Sequence, residues 1–484
     1  MNPTWPLSAF HKKVVNDWGC QVSLYACGRA KTKALKVIRG NHEAQYGRLW
    51  DYMAALKKAM PDSTVELMLD NEEAGVQGRR FKRIYVCLGP LKKGFTTACR
   101  PIIGLDGCHL KGPFGGQLLT AVGCDANDEM YPISWAVVEA ENSETWNWFL
   151  TLVAMDVNIN NSGSWTFISD RQKGLINALT TVVPNAEHRF CVMHLYRNMY
   201  KDFKGVGCRS LLWLASRATT DYMFQKHMTE LKKLSKKCHD WLLEKPTSQW
   251  SRSAFRTTCL SDMFVNNHCE VYNNSIRAYR DLPIIGLLQG LHKSAMKRIQ
   301  SRRDKMARNY AANHLCPNPM KKVNKAMSQS SGCVVQWSGK SKYLVTMTSG
   351  GHEIVVDLEA KTCACRKYDL TGLPCYHACA CIHWKNLNLN DYIHKAYTKD
   401  MYLACYQHTL EPITSEQYWE KTGIPGPLAP LIKVQPGRPK KKRSQKNDIP
   451  DDATKLRRKG IIIVCNYCKE RGHNARTCLA KVSY

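Results

Sequence analysis

The chain has 484 residues, 44% of them hydrophobic, and carries 70 Lys+Arg against 40 Asp+Glu for a formal net charge of +30. That length is too great for a single core and points to about two to four domains, while the ordinary apolar content excludes disorder throughout. The charge calls for a polyanionic partner, nucleic acid first, bound through counterion release.

No apolar run approaches the ~18 residues of a membrane span, and the opening "MNPTWPLSAFHKK" lacks the apolar centre of a secretory signal. The expected setting is intracellular, with the 22 cysteines reduced. Cys/His clusters are therefore read first as zinc ligands.

Residues 1–80 read as a helical N-terminal segment, with three short helices up to about residue 60 from three- and four-residue apolar spacing. The middle helix is basic, with Arg29, Lys31, Lys33, Lys36 and Arg39. It is either a helix-turn-helix DNA contact or an ordinary solvated face.

Over residues 81–195 the pattern becomes strand, strand, hairpin, helix, strand, helix. "FKRIYVCLG", "RPIIGLDGCHL" and "SWTFISD" predict strands, "QLLTAVGCDANDEMYPISWAVVEA" a hairpin turning at "DANDEM", and "KGLINALTTVV" a helix. "SETWNWFLTLVAMDV" predicts another helix, opened by an imperfect capping box from Ser143 to Trp146. This is an α/β fold class with a mixed sheet.

Residues 196–262 read as a helical insertion into that domain, and residues 263–312 as its continuation and a basic helix. Strands return within residues 333–390, ahead of a Cys/His cluster. Residues 421–462 form a basic, Pro-rich linker, and residues 463–480 a small terminal module.

"CNYCKERGHNARTC" has the spacing C-x2-C-x4-H-x4-C, with Cys465, Cys468, His473 and Cys478 as ligands. Four such ligands fit tetrahedral zinc, and a segment too small for a core would take its folding energy from the metal. This is a zinc knuckle, a module that grips single-stranded nucleic acid, RNA included. Upstream, "CACRKYDLTGLPCYHACACIHW" offers Cys363, Cys365, Cys375 and His377 as a second zinc set. Cys379, Cys381 and His383 follow closely, so spacing alone leaves the choice of four open.

Between them "GRPKKKRSQK" carries Arg438, Lys440, Lys441, Lys442 and Arg443, a run expected to serve nuclear import and phosphate contact. Arg438 in "GRP" also suits an A·T-rich minor groove.

Two aspartates end apolar strands, Asp106 in "IIGLDG" and Asp170 in "FISD", and Glu270 opens a helix in "VNNHCEVYNNSI". Together they could present hard oxygen ligands to two divalent ions for phosphodiester chemistry. Their separations of 64 and 100 residues carry no information alone, and capping or ion-pairing acids fit the sequence equally well.

"IIGLDGCHLKGPFGGQLLTAVGCDANDEMYPISWAVVEAE", "FISDRQKGL", "RFCVMHLYRN" and "VNNHCEVYNNSI" closely resemble plant Mutator-like element transposases. "CACRKYDLTGLPCYHA" is similar to their SWIM-type zinc finger and "CNYCKERGHNARTC" to their C-terminal CCHC knuckle, so the likeness runs from about Ala34 to the end. The resemblance implies a ribonuclease-H-like core split by a helical insertion. It implies a catalytic triad of Asp106, Asp170 and Glu270 with Mg²⁺ or Mn²⁺, and DNA cleavage at element ends followed by joining to a target. It also selects Cys363, Cys365, Cys375 and His377 as the first zinc site, leaving Cys379 and Cys381 aside. Cys191 and His194 match a Cys-x-x-His pair of the family and stay without a role.

Full-length relatives usually begin with a zinc-containing DNA-binding domain, whereas here no Cys/His cluster precedes Asp106. The expected function is accordingly a DDE-type transposase in the nucleus, able to form homo-oligomers, in an intact, truncated or decayed copy. The alternative is a transposase-derived nuclear regulator that binds DNA without strand transfer.

Overall fold

The computed structural model describes residues 5–19, 21–39, 41–71, 77–308, 314–348 and 350–431. Toward the C-terminus it describes Cys465, Tyr467, Cys468, Glu470, His473, Cys478 and Ala480. The chain divides into one unit at residues 1–432 and a second at residues 433–484. The basic run with Arg438, Lys440, Lys441, Lys442 and Arg443 lies outside the described residues.

Three helices open the first unit, α1 (Leu7–Trp18), α2 (Leu24–Arg39) and α3 (Leu49–Ala59). The strand β1 (Thr64–Leu69) follows, inside the stretch read as helical. "TVELML" alternates apolar and polar residues over too short a run to oppose the surrounding helical pattern, and it pairs antiparallel with β2 (Phe81–Cys87). After α4 (Gly89–Ala98) come β3 (Ile102–His109) and the hairpin of β4 (Gln117–Cys124) and β5 (Met130–Val138). Then α5 (Ser143–Asp156), β6 (Thr166–Ser169), α6 (Lys173–Val182) and β7 (Glu187–Phe190) complete a seven-stranded sheet of order β1-β2-β5-β4-β3-β6-β7.

β3, β6 and β7 run parallel and the other neighbours antiparallel, so the sheet is mixed. β5 is buried at every position, as a central strand covered on both faces must be. The α5 helix is capped by Asn142, whose side chain accepts the Thr145 N–H while Thr145 returns a bond to the Asn142 N–H. The capping box is thus Asn142–Thr145, one residue before the predicted Ser143–Trp146 pair. Trp146, Phe149, Leu150 and Val153 bury one face of α5 in the core, each worth roughly 1.5–3 kcal/mol.

The insertion consists of α7 (Val192–Asp202), α8 (Val206–Arg217), α9 (Asp221–Leu234) and α10 (Lys236–Leu243) around its own core of Leu195, Leu212, Phe224 and Trp250. The chain returns to the sheet through α11 (Asn267–Ser275), then runs through α12 (Ile284–Arg308) and α13 (Pro317–Ser330).

A second antiparallel sheet holds β8 (Cys333–Gly339), β9 (Lys342–Met347), β10 (Glu353–Asp357) and β11 (Thr362–Cys363). It packs with α14 (Lys367–Thr371) and α15 (Tyr376–Trp384) around Tyr343, Val345, Val356 and Ile382, and α16 (Lys399–Tyr406) joins the main core. This mixed α/β architecture with small Cys/His modules fits the ribonuclease-H-like core expected from the resemblance.

Two arginines, Arg189 buried and Arg366 half-buried, bind these parts together. Arg189 on β7 pairs with Glu187 at 2.8 Å and donates to the carbonyls of Ser261, Met263 and Arg256. Arg366, beside Cys365, donates to the carbonyls of Ser253 and Phe255, the latter at 2.8 Å, and so ties the second sheet's module to the insertion.

Candidate active site and metal centres

The site begins where β6 stops pairing with β3, at Gly104 opposite Ile168. Beyond that point β3 keeps only β4 as a partner, and Asp106 lies opposite Thr120, whose hydroxyl donates to the Asp106 carbonyl at 3.1 Å. The open edge leaves room for side chains from other elements. Asp106 Oδ1 accepts the Gly107 N–H at 3.1 Å and Oδ2 accepts Asn273 Nδ2 at 2.7 Å.

Asp170 follows β6 directly, and its Oδ1 accepts the Gln172 N–H at 3.0 Å. Gln172 caps α6 with its side-chain oxygen and donates Nε2 to the Glu141 carbonyl at 3.0 Å. Glu270 sits exposed in the first turn of α11. That helix is fixed to β3 by Asn266, which donates Nδ2 to the Leu105 carbonyl at 3.0 Å.

These placements set the charge balance. Burial first, then the charges of Asp170 and Glu141, push the Asp106 carboxyl up to about 7; the Gly107 N–H opposes the shift and Glu270 adds to it. Glu141 is also raised, by burial and then by Asp170, with the Trp146 indole opposing. Asp170 and Glu270 thus both lie close enough for Asp106 to feel their charge, and Glu141 joins them. Among the described residues, however, the groups whose ligand atoms all lie within 4.8 Å of one another are the two Cys/His quartets, so the acids are spread more widely. Nothing in the sequence singled out Glu141. It stands one residue before the helix cap, where an acid is commonplace.

The first quartet is Cys363, Cys365, Cys375 and His377. Cys363 ends β11, Cys375 caps α15 and His377 lies in that helix's first turn, with Nδ1 3.6 Å from Cys363 Sγ and 3.8 Å from Cys375 Sγ. Cys379 and Cys381 are buried further along α15 and stand outside the quartet. Two turns of chain therefore deliver four soft ligands to one point, the composition of a closed structural zinc site.

The second quartet, within the C-terminal unit, is Cys465, Cys468, His473 and Cys478, with Cys468 Sγ 3.1 Å from His473 Nε2. Desolvation works against ionisation of Cys465, yet the N–H groups of Cys468 and Tyr467 bring its thiol down to about 6. The shift is in the direction of the thiolate that metal ligation requires.

Cys191, between β7 and α7, accepts the Asn266 N–H at 3.2 Å, and His194 Nε2 lies 3.3 Å from Arg197 Nη1. Among the described residues no group bonds the buried His194 Nδ1. No described helix is long and apolar enough to cross a membrane.

Comparison with known families gives two matches, the MULE transposase domain over residues 102–198 and the SWIM zinc finger over residues 343–382. The comparison with curated proteins finds no match. The first matched segment contains Asp106, Glu141 and Asp170, and the second contains the whole Cys363–His377 quartet. These matches support zinc binding and suggest DNA as a partner: the chain is similar to the transposase domain of Mutator-like elements over residues 102–198 and to a SWIM zinc finger over residues 343–382.

Proposed function

We propose that the protein is a DDE-type DNA transposase that cleaves and rejoins phosphodiester bonds, with Asp106, Asp170 and Glu270 as its acidic triad. The supporting observation is that the Asp106 carboxyl, lifted to about 7 first by burial, is pushed up further by the charges of Asp170, Glu141 and Glu270 in a strongly basic chain. Acids that destabilise one another in this way gain from a divalent cation. Their hard oxygens suit Mg²⁺ or Mn²⁺, whereas the thiolate sites suit zinc. Bound there, such cations would supply Lewis acidity to the attacking and leaving oxygens of an in-line displacement.

The chain's own residues prepare that geometry. The Gly107 N–H and Asn273 hold the two oxygens of Asp106, Gln172 holds Asp170, and Asn266 locks the helix that carries Glu270. The basic linker and the knuckle would add sequence-independent contacts to DNA or single strands, nuclear entry would follow from the linker, and pairing of element ends would call for a homo-oligomer.

The test uses zinc-loaded full-length protein, duplex DNA and Mg²⁺. Nicking or joining is expected, with Asp106→Asn and Asp170→Asn reducing it to background while DNA affinity persists. Cleavage undiminished in both variants removes the triad. Salt-sensitive binding with no cleavage by the unmutated chain is the result that the regulator reading expects instead.

A further inference from the structure

Trp337 on β8 and Trp384, the last residue of α15, are 50% and 53% exposed. Neither joins the core of Tyr343, Val345, Val356 and Ile382 that holds their module together. Large aromatic side chains gain most from burial, so two tryptophans left in water on one small module call for a reason. They belong to one surface. Trp337 lies opposite Tyr343 on β9, and the Tyr343 ring stands 6.3 Å from that of Trp384 at an angle of 73°. β8 is the edge strand of its sheet, so no further strand lies beside Trp337.

The surface is both fixed and charged. Trp337 Nε1 donates to the Lys340 carbonyl at 3.1 Å, which holds the indole against the turn between β8 and β9. Lys385, the residue after α15, sets its Nζ 5.0 Å from the Trp337 ring centroid. Lys340, Lys342 and Lys385 are all exposed. The sequence around them, residues 333–352 and 376–390, contains no Asp or Glu. Asp357 on β10 lies opposite Lys342, whereas Lys340 and Lys385 have no carboxylate partner among the described residues.

Aromatic faces interleaved with cations suit an unpaired nucleic-acid strand, whose bases stack while its phosphates meet ammonium groups. A duplex keeps its base faces inside its own stack and offers such indoles little. From this arrangement we infer that Trp337 and Trp384 form a stacking platform for single-stranded nucleic acid, with Lys340 and Lys385 placed for its phosphates. The inference rests on the nucleic-acid partner read above and not on the acidic triad. The platform is distinct from the knuckle, whose quartet lies in the C-terminal unit.

The test titrates zinc-loaded full-length protein against a short fluorescein-labelled oligothymidine and a duplex of equal length, read by anisotropy over a range of salt. Trp337→Ala and Trp384→Ala are each expected to weaken oligothymidine binding about tenfold, the scale of one lost stacked base, and to leave duplex binding unchanged. Trp337→Phe should recover most of that affinity, because it restores a ring. Lys385→Ala should reduce the single-strand salt slope by about 0.7, the equivalent of one phosphate contact. Should a tryptophan variant lose zinc, the salt slope of Lys385→Ala decides. Parent affinity for oligothymidine in both tryptophan variants overturns the platform, as does an equal loss on the duplex. A tryptophan variant that changes sedimentation but not oligothymidine binding gives the surface to a second copy of the chain instead. Failure of the unmutated chain to bind oligothymidine while it binds duplex sinks the platform alone, and failure to bind either sinks the nucleic-acid reading with it.

Discussion

Asn273, three residues beyond Glu270 on α11, donates its side-chain amide to Asp106 Oδ2 at 2.7 Å. Residues three apart share a helix face, so the helix that brings an acid to the site also brings a neutral donor. The donor holds one Asp106 oxygen still while leaving the charge of the site unchanged.

Removing that donor is expected to loosen Asp106 without unfolding the protein. Asn273→Ala should slow DNA cleavage about tenfold, equivalent to about 1.4 kcal/mol in the barrier, with DNA affinity unchanged. Asn273→Asp should slow it further by adding a charge. Single-turnover cleavage and anisotropy measurements separate the two effects, and equal rates in all three proteins would deny Asn273 a positioning role.

The two quartets predict a zinc stoichiometry of two per chain, falling to one in Cys375→Ser. Cys375 is fully buried at the start of α15, so that variant should also melt earlier by several degrees, because metal binding is folding energy in small modules. Elemental analysis and calorimetry check both. A variant that still holds two zinc ions excludes Cys375 as a ligand.

Two histidines set demands opposite to those of one aspartate as pH falls. Burial lowers His188 and His292 to about 4, below the ordinary value of 6.5, so the unfolded chain takes up protons that the folded chain refuses. Their contribution is present above about pH 6.5 and is lost as pH falls toward 4. Asp125 behaves inversely: burial raises it to about 7, so the folded chain holds a proton and gains stability as pH falls from 7 toward 4. His292→Gln should therefore be less acid-sensitive than the parent by roughly 2 kcal/mol between pH 7 and 4.5, and Asp125→Asn more so. Urea unfolding at the two pH values reads the difference, and parallel pH responses in parent and variants would contradict it.

How much of this was legible in the sequence follows from what each residue must do. β5 is buried along its whole length and β3 over its first four residues, and both show apolar runs that strand propensity identifies. β7 reads "EHRF" and is invisible to such patterning, because its buried Glu187 and Arg189 neutralise each other rather than avoid the core. The C-terminal quartet was readable because a tetrahedral ion constrains spacing along a short piece of chain, whereas Cys379, Cys381 and His383 left the ligands of the first cluster open until the resemblance selected four. Asp106, Asp170 and Glu270 lie on separate elements, and only the tertiary fold decides which acids meet. For the same reason the charge that Glu141 adds beside Asp106 left no trace in the sequence, because only the fold brings residue 141 against Gly107 of β3.

Arg366 gives the Cys363–His377 quartet a reach beyond its own module, because the residue next to a ligand clasps the carbonyls that close the helical insertion. Treating the protein with EDTA would consequently strike two addresses at once, and silence under that reagent would not distinguish an emptied carboxylate pocket from a slackened scaffold. Only recovery on adding back Mg²⁺, with zinc never withdrawn, speaks for the carboxylates.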